Sequence, residues 1–312
     1  MGGDFLLLLS DLIEEHIYHA KAENLTKKTI INKTHELGHL CSYLQEKRAI
    51  TELDKITVHD LRSYFRFKQK QNLQPQSIVT KMKLISAFFN WCIKEEYIED
   101  NPMRKVDRPK VQKKVLEGFT QNEVAKMVSS YSYQDFYECR NKAIVAMLAD
   151  CGLRAMELRG LTIESVRDTS ILVNGKGNKE RVVYISPTLK KILIRYERMK
   201  KKYFEDKIVK SNHYFLSYQG DYLSHMSLDK IVKEAGRRAG IGGKRVSPHS
   251  FRHFYAVTCI TNNIDVYTLS RLLGHSEIGT TQRYLSSMTD LQIEQKAMNT
   301  SPLSNLGRSK NE

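Results

Sequence analysis

The sequence is poor in the groups that mark secreted, metal-bound or membrane-embedded proteins. Its five cysteines (Cys41, Cys92, Cys139, Cys151 and Cys259) are scattered, odd in number and without a Cys-x-x-Cys pair. That excludes a disulfide framework and a zinc site, and points to reduced thiols. The apolar run Phe5–Leu9 is far too short to span a bilayer, and no Lys or Arg precedes it. The Met1-Gly2 start does not complete a myristoylation signal, because Leu6 stands where Ser or Thr is needed. A cytoplasmic protein without membrane attachment is expected. The Gly-Lys-Gly at 175–177 lacks the spacing of a nucleotide-binding P-loop. Internal repeats and low-complexity tracts are also missing.

Positive charge is abundant. Fifty Lys and Arg face 35 Asp and Glu, a formal net charge of +15, and such a field favours a polyanionic partner. With 41% hydrophobic and 27% charged residues over 312 positions, the chain has the composition of folded protein and the length for two domains.

The first hundred residues read as helices. Leu6, Leu9, Leu12, Ile13 and Ile17 recur at spacings of three and four, one face of an amphipathic helix. Asn24 and Thr26 offer caps for a second helix to about Gln45. A third starts near Thr57 with Leu61, Tyr64 and Phe65, and a fourth near Ser77 carries Ile78, Met82, Ile85, Phe88 and Trp91. No hairpin signal interrupts them, so a bundle is expected. Pro102 to Lys114 is basic, holds two prolines and has no apolar periodicity, which suggests a linker. Thr120 to Glu123 then forms a capping box. The expected division is a helical domain at 1–108, a linker at 109–114, and a second domain at 115–312 with a tail after about 288.

The second domain mixes elements. Helices are expected at about Tyr137–Asp150, from Pro187 to about Tyr203, and at Leu228–Ala239, with a last short one at Leu291–Met298. Ser170–Val173 and Val182–Ile185 read as strands joined through an Asn-Gly step, and Tyr214–Leu216 as a further strand.

The stretch Ser247–Tyr284 holds the chemistry. Ser247 and Pro248 suit the N-cap and first position of a helix, which puts His249 and Arg252 on one face. A helix over Val266–Leu273 should end at Gly274, placing His275 in the turn. Ser276 or Thr280 would cap a short helix bearing Tyr284. Two imidazoles, a guanidinium and a phenol lie in one segment with no carboxylate among them, an arrangement suited to a substrate that brings negative charge. Arginine's planar fork matches a phosphodiester. A phenol with a pKa of about 10 is a poor nucleophile near neutrality unless cations surround it. No acidic cluster suited to Mg²⁺ accompanies these groups, which argues against a two-metal nuclease. Tyr255 and Tyr267, flanked by apolar residues on helices, read as core or supporting positions, and His253 as structural.

This segment resembles the C-terminal box of the tyrosine recombinases, the phage integrase and Xer family: His249-Ser250-Phe251-Arg252, then Leu273-Gly274-His275, then Tyr284 nine residues on. Gly152-Leu153-Arg154 with Glu157 and Leu158 matches the family's first arginine box, although Cys151 stands where Thr is usual. Gly175-Lys176-Gly177-Asn178-Lys179-Glu180-Arg181 matches its lysine-bearing hairpin. The resemblance is close over the second domain and looser over the first.

The resemblance implies a two-domain fold: an N-terminal all-α, SAM-like core-binding bundle and a C-terminal mixed α+β, mainly helical, catalytic domain with a small antiparallel sheet. It implies a site-specific DNA recombinase that needs no cofactor or metal and works through a 3′-phosphotyrosyl intermediate and a Holliday junction. Tyr284 is then the nucleophile. Arg154, Arg252, His249 and His275 stabilise the phosphate, Lys176 protonates the leaving oxygen with Lys179 as the competing choice, and Glu157 orients Arg154. Arg66, Lys81, Lys83 and Lys179 are expected to contact DNA. The implied partners are double-stranded DNA with inverted-repeat core sites and other copies of the chain, a dimer on each site and a tetramer in synapsis. The C-terminal segment would dock in trans. The chain opens on the bundle with no arm-binding domain, which favours an Xer-like or mobile-element enzyme. A type IB topoisomerase-like relaxing enzyme and a DNA-binding regulator without strand exchange are the alternatives.

Overall fold

The structure, a computed structural model, describes residues 7–111, 117–175, 180–285, 293–294 and 297–298. Its contacts divide into two units, Met1–Lys114 and Val115–Glu312.

The first unit is built from α1 (Leu9–Ala22), α2 (Lys27–Arg48), α3 (Val58–Lys70) and α4 (Pro75–Lys94). Local chemistry sets the starts. The Thr26 hydroxyl accepts from the Thr29 N–H, and Thr57 with Asp60 closes a reciprocal capping box. α4 begins at Pro75, two residues before the expected start, because proline at the first helical position gives up no hydrogen bond. Leu9, Leu37, Leu40, Leu61, Tyr64, Ile85 and Phe88 are fully enclosed in the core. Glu36, 3% exposed, is buried among them and receives hydrogen bonds from Tyr64 Oη at 2.9 Å and from Lys81 Nζ.

The front of the basic 102–114 stretch, ahead of the expected 109–114 linker, is folded. Pro102–Lys105 is a 3₁₀ turn, capped by the Asn101 side chain, whose Met103 packs into the bundle together with Val106. Apolar residues three apart suffice for such a turn, a period too short to register as a helix pattern.

The second unit runs α5 (Gln121–Ser129), α6 (Phe136–Cys151), α7 (Ala155–Gly160), β1 (Ser170–Asn174), β2 (Glu180–Tyr184), α8 (Pro187–Tyr203), α9 (His225–Arg238), α10 (Pro248–Thr261), α11 (Val266–Leu273) and α12 (Ile278–Leu285). Buried α6 is the axle, packed against both α8 and α10. β1 and β2 pair antiparallel from Ser170↔Tyr184 to Asn174↔Glu180. Five residues, 175–179, therefore join them, close to the expected connection over Asn174–Lys179 with Asn174 itself in the ladder, and 176–179 lie outside the described residues. Tyr214–Leu216 is not a strand. Only isolated bridges, Thr162↔His213 and Leu216↔Tyr222, form there, because side chains claim the carbonyls: Tyr196 and Lys200 donate to Tyr214 O, and Arg140 to Leu216 O. α12 starts at Ile278, so Thr280 lies inside the helix rather than capping it, and Ser276 stands two residues before its first. Most of the expected Leu291–Met298 helix and the tail lie outside the described residues. No described helix is long and apolar enough to cross a membrane.

Candidate active site

Three helix ends and one strand build the site. Gly152 ends α6 in the left-handed conformation, φ +58°, and a Cβ there would stand 2.4 Å from the Tyr255 ring. The chain turns under that ring so that Arg154 becomes the N-cap of α7. The buried Cys151 thiol donates to Tyr184 O at 3.7 Å, tying this turn to β2. Glu157 Oε2 accepts the Arg154 backbone N–H at 2.7 Å, and Oε1 accepts from its guanidinium at 2.8 Å.

α11 ends in a Schellman-type turn: the Gly274 N–H donates to Arg271 O and the His275 N–H to Ser270 O, each at 3.0 Å, with Gly274 at φ +65°. The last carbonyls of a helix lack intrahelical donors and carry the negative end of its dipole. Three arginines take them here. Arg181 Nε donates to Leu272 O at 2.8 Å, Arg252 to Leu273 O at 2.6 Å, and Arg154 to Leu273 O and Gly274 O at 3.3 Å. Arg252, 2% exposed, also donates to Gly152 O at 2.8 Å, so one guanidinium pins the turn after α6 to the end of α11.

Arg252 stands 2.9 Å from His275 Nε2. Arginine can only donate, so Nε2 is the acceptor and the ring proton sits on Nδ1, 2.8 Å from the Thr281 hydroxyl. The His275 pKa is lowered to about 4, first by burial and then by the charges of Arg252, Arg154 and Arg181. Arg252 itself is lowered to about 10 by burial and then by Arg154. Burial would raise Glu157, but the Arg181 fork, the Arg154 N–H and the Arg154 guanidinium bring it to about 2. The cluster is a desolvated positive site short of anions.

Tyr284 closes it. Its ring lies parallel to His275, centroids 6.2 Å apart, and 5.5 Å from His253, and its phenol interacts electrostatically with Arg252. His249, exposed on the first turn of α10, is lowered by partial burial and then by Arg252, Arg245 and Arg154. A cleft of about 1630 Å³ opens beside these groups, lined by Arg154, Glu157, Arg181, Arg271 and His275 among others.

The structure thus gathers Arg154, Glu157, Arg252, His275 and Tyr284, with His249 on the same helix as Arg252. Lys176 and Lys179 lie outside the described residues. Tyr267, expected in a core or supporting position, is 59% exposed and lines the cleft, because α11 turns its apolar side, Leu269 and Leu273, the other way. His253, expected to be structural, packs its ring at a tilt against that of Tyr284. In the first unit Arg66 and Lys83 are exposed, whereas Lys81 is engaged by Glu36. Arg181 and Thr281 escaped the sequence reading. Thr281 precedes Tyr284 by three residues, the spacing of one helical face, and Arg181 is a lone cation within an apolar strand.

The fold and this cluster define a recognisable class, the tyrosine recombinases. Residues 117–290 match the phage integrase family, and residues 8–110 the phage integrase SAM-like domain. The tyrosine recombinase XerD of Listeria innocua serovar 6a is 26% identical over 289 residues, 92% of this chain and 97% of the relative. XerC of Leptospira interrogans serogroup Icterohaemorrhagiae serovar copenhageni is 28% identical over 284 residues, 89% of each chain. Two solved structures share the fold. The Tn1549 transposon integrase in complex with transposon right end DNA has a TM-score of 0.73 and 16% identity, over 94% of this chain and 99% of that one. A lambda integrase tetramer bound to a Holliday junction has a TM-score of 0.70 and 16% identity, over 90% and 78%. The chain belongs to the phage integrase family and is a site-specific tyrosine recombinase.

Proposed function

We propose that Tyr284 is the nucleophile, attacking a scissile phosphodiester held by Arg154, Arg252 and His275. The new bond joins phosphorus to the phenolic oxygen and the bond to the 5′-oxygen breaks, leaving a 3′-phosphotyrosyl ester. His249, whose pKa is lowered and which is therefore neutral near pH 7, takes up the phenol proton or hydrogen-bonds a phosphate oxygen. Lys176 is assigned to protonate the departing 5′-oxygen, with Lys179 as its competitor. A 5′-hydroxyl from a partner strand then reverses the step. The observation that carries this reading is the assembly of both arginines, His275 and the Tyr284 ring from four separate elements. Such preorganised donors, aimed at charge that develops on phosphate oxygens, are the largest lever a transesterification site has.

Beyond the chemistry, we propose a dimer on inverted-repeat core sites, a synaptic tetramer that resolves a Holliday junction, and a C-terminal segment that docks on a neighbouring copy. Exposed Arg66 and Lys83 would contact phosphates. The setting would be the cytoplasm, in a chromosomal or mobile-element task.

Covalent capture from a random-sequence pool of nicked suicide duplexes tests this reading. Wild-type protein should yield a denaturant-resistant adduct enriched for one sequence. Tyr284→Phe should abolish the adduct while DNA affinity stays within about threefold, since one hydroxyl is small against the phosphate contacts that dominate binding. Equal loss of adduct and affinity would make Tyr284 structural. A sequence-independent adduct would point to a relaxing enzyme, and no adduct at all to a binding regulator.

A further inference from the structure

Glu157 is shared by three cations. Its carboxylate accepts from both terminal nitrogens of Arg181, Nη1 to Oε1 and Nη2 to Oε2, at 2.8 Å each, and also from the Arg154 guanidinium at 2.8 Å. Arg252 Nη1 lies 3.8 Å from Oε2. Arg181 is the one of the three that grips the carboxylate with both terminal nitrogens. Its fork is bidentate on Glu157, its Nε donates to Leu272 O at 2.8 Å, and its side chain is 9% exposed. Its stem also lies so close to Gly274 that a Cβ there would stand 2.9 Å from Arg181 Cδ.

This leaves two different jobs for the arginines. Arg181 spends its donors on the carboxylate and on α11. Arg154 keeps a side chain 40% exposed toward the cleft. Without Arg181, Glu157 would draw its compensation from Arg154 and Arg252, the two groups proposed to hold phosphate. We propose that Arg181 is a positioning residue that neutralises Glu157, so that the charges of Arg154 and Arg252 stay available to the scissile phosphate, and that joins β2 to the turn carrying His275. Three guanidiniums against one carboxylate leave a surplus of two positive charges, and removing Arg181 halves it. Arg181 does not touch the phosphate itself. It acts through Glu157 and through the carbonyls that fix His275.

The inference rests on the Tyr284 reading, and the experiment separates the two. Single-turnover adduct formation is measured on the captured duplex with either an ordinary scissile phosphate or a neutral methylphosphonate at the mapped cleavage position. Arg181→Gln should slow cleavage of the phosphate about 10- to 100-fold, less than loss of a direct contact, with DNA affinity within about threefold. On the methylphosphonate, which carries one negative charge fewer into the transition state, the ratio of wild type to variant should shrink to within about threefold. Arg181→Lys, which keeps the charge and loses the fork, should lie between. Wild-type rates in Arg181→Gln, or the same defect on both substrates, overturn the proposal. If Arg181→Gln fails to fold, judged by lost DNA affinity, Arg181→Lys is read against the same two substrates. If wild type itself forms no adduct, the Tyr284 reading falls first and this inference with it.

Discussion

At the scale of residues, the site is governed by charge that lacks a counter-ion. Arg252 is buried, and its own pKa is pulled down to about 10, so the protein holds a guanidinium where charge is costly. The scissile phosphate proposed above would supply what is missing. His275 is the sensitive partner, because only the neutral ring accepts from Arg252. Its folded pKa, about 4, lies below the ordinary value of 6.5, so between these values the unfolded chain binds a proton that the folded protein refuses. The associated stability is complete above about pH 6.5 and is lost as pH falls toward 4. The Tm of DNA-free protein should therefore fall across that window. The fall should be shallower in His275→Gln, with a residual slope from His16, whose pKa is also lowered to about 4, and from His249 and His253, which burial lowers too. Equal slopes in the two proteins would show that the ring is not held neutral by its surroundings.

At the scale of elements, helix ends decide where chemistry can happen. Gly152 is required twice, by its φ of +58° and by the Tyr255 ring 2.4 Å from any Cβ. Gly152→Ala should cost about 2–4 kcal/mol, the sum of a left-handed penalty and overpacking, read as a lower urea midpoint at unchanged m-value. A loss of no more than about 1 kcal/mol, the left-handed penalty alone, would mean that α10 moves aside freely. In the bundle, Lys81 and Lys83 sit on one helix and do different work. Lys81→Ala strips buried Glu36 of its cation and should destabilise by about 1–3 kcal/mol, with little change in the salt dependence of DNA binding. Lys83→Ala should leave the Tm unchanged and reduce the salt slope by about one. The opposite pattern would place the DNA contact at Lys81.

At the scale of the whole molecule, a net charge of +15 does not specify a site, but it sets the terms of association. Each phosphate neutralised releases counterions. Affinity for any duplex should therefore fall steeply with salt, by about 10³- to 10⁵-fold between roughly 50 and 200 mM if six to ten phosphates are contacted. A flat salt response, measured by fluorescence anisotropy on a labelled duplex, would remove the electrostatic basis of the bundle's proposed grip.

Many helix starts and the capped turn at Gly274 were legible in the chain because they depend on neighbours within a few positions, whereas the His249–Tyr284 set was legible through its resemblance to the family's C-terminal box. Ser247 caps its own helix, and Gly274 ends its own. The first unit was legible as a bundle for the same reason, its apolar residues recurring at helical period. What local pattern does not carry is who shares a partner with whom. Glu157 reads as a companion of Arg154 three residues away, yet Arg181, which lies 24 positions further on, holds it with a bidentate fork. Lys81 reads as a surface cation, yet Glu36 claims it across 45 positions. Tyr267 reads as core or supporting, and the rotation of α11 decides against the core by turning it to the cleft. The amino-acid sequence alone determined most of the helices, the hairpin and the chemical groups available. Only tertiary packing decided which charges neutralise one another and which are left for DNA, because electrostatic pairing depends on distance in space and on burial, and neither is a property of sequence separation.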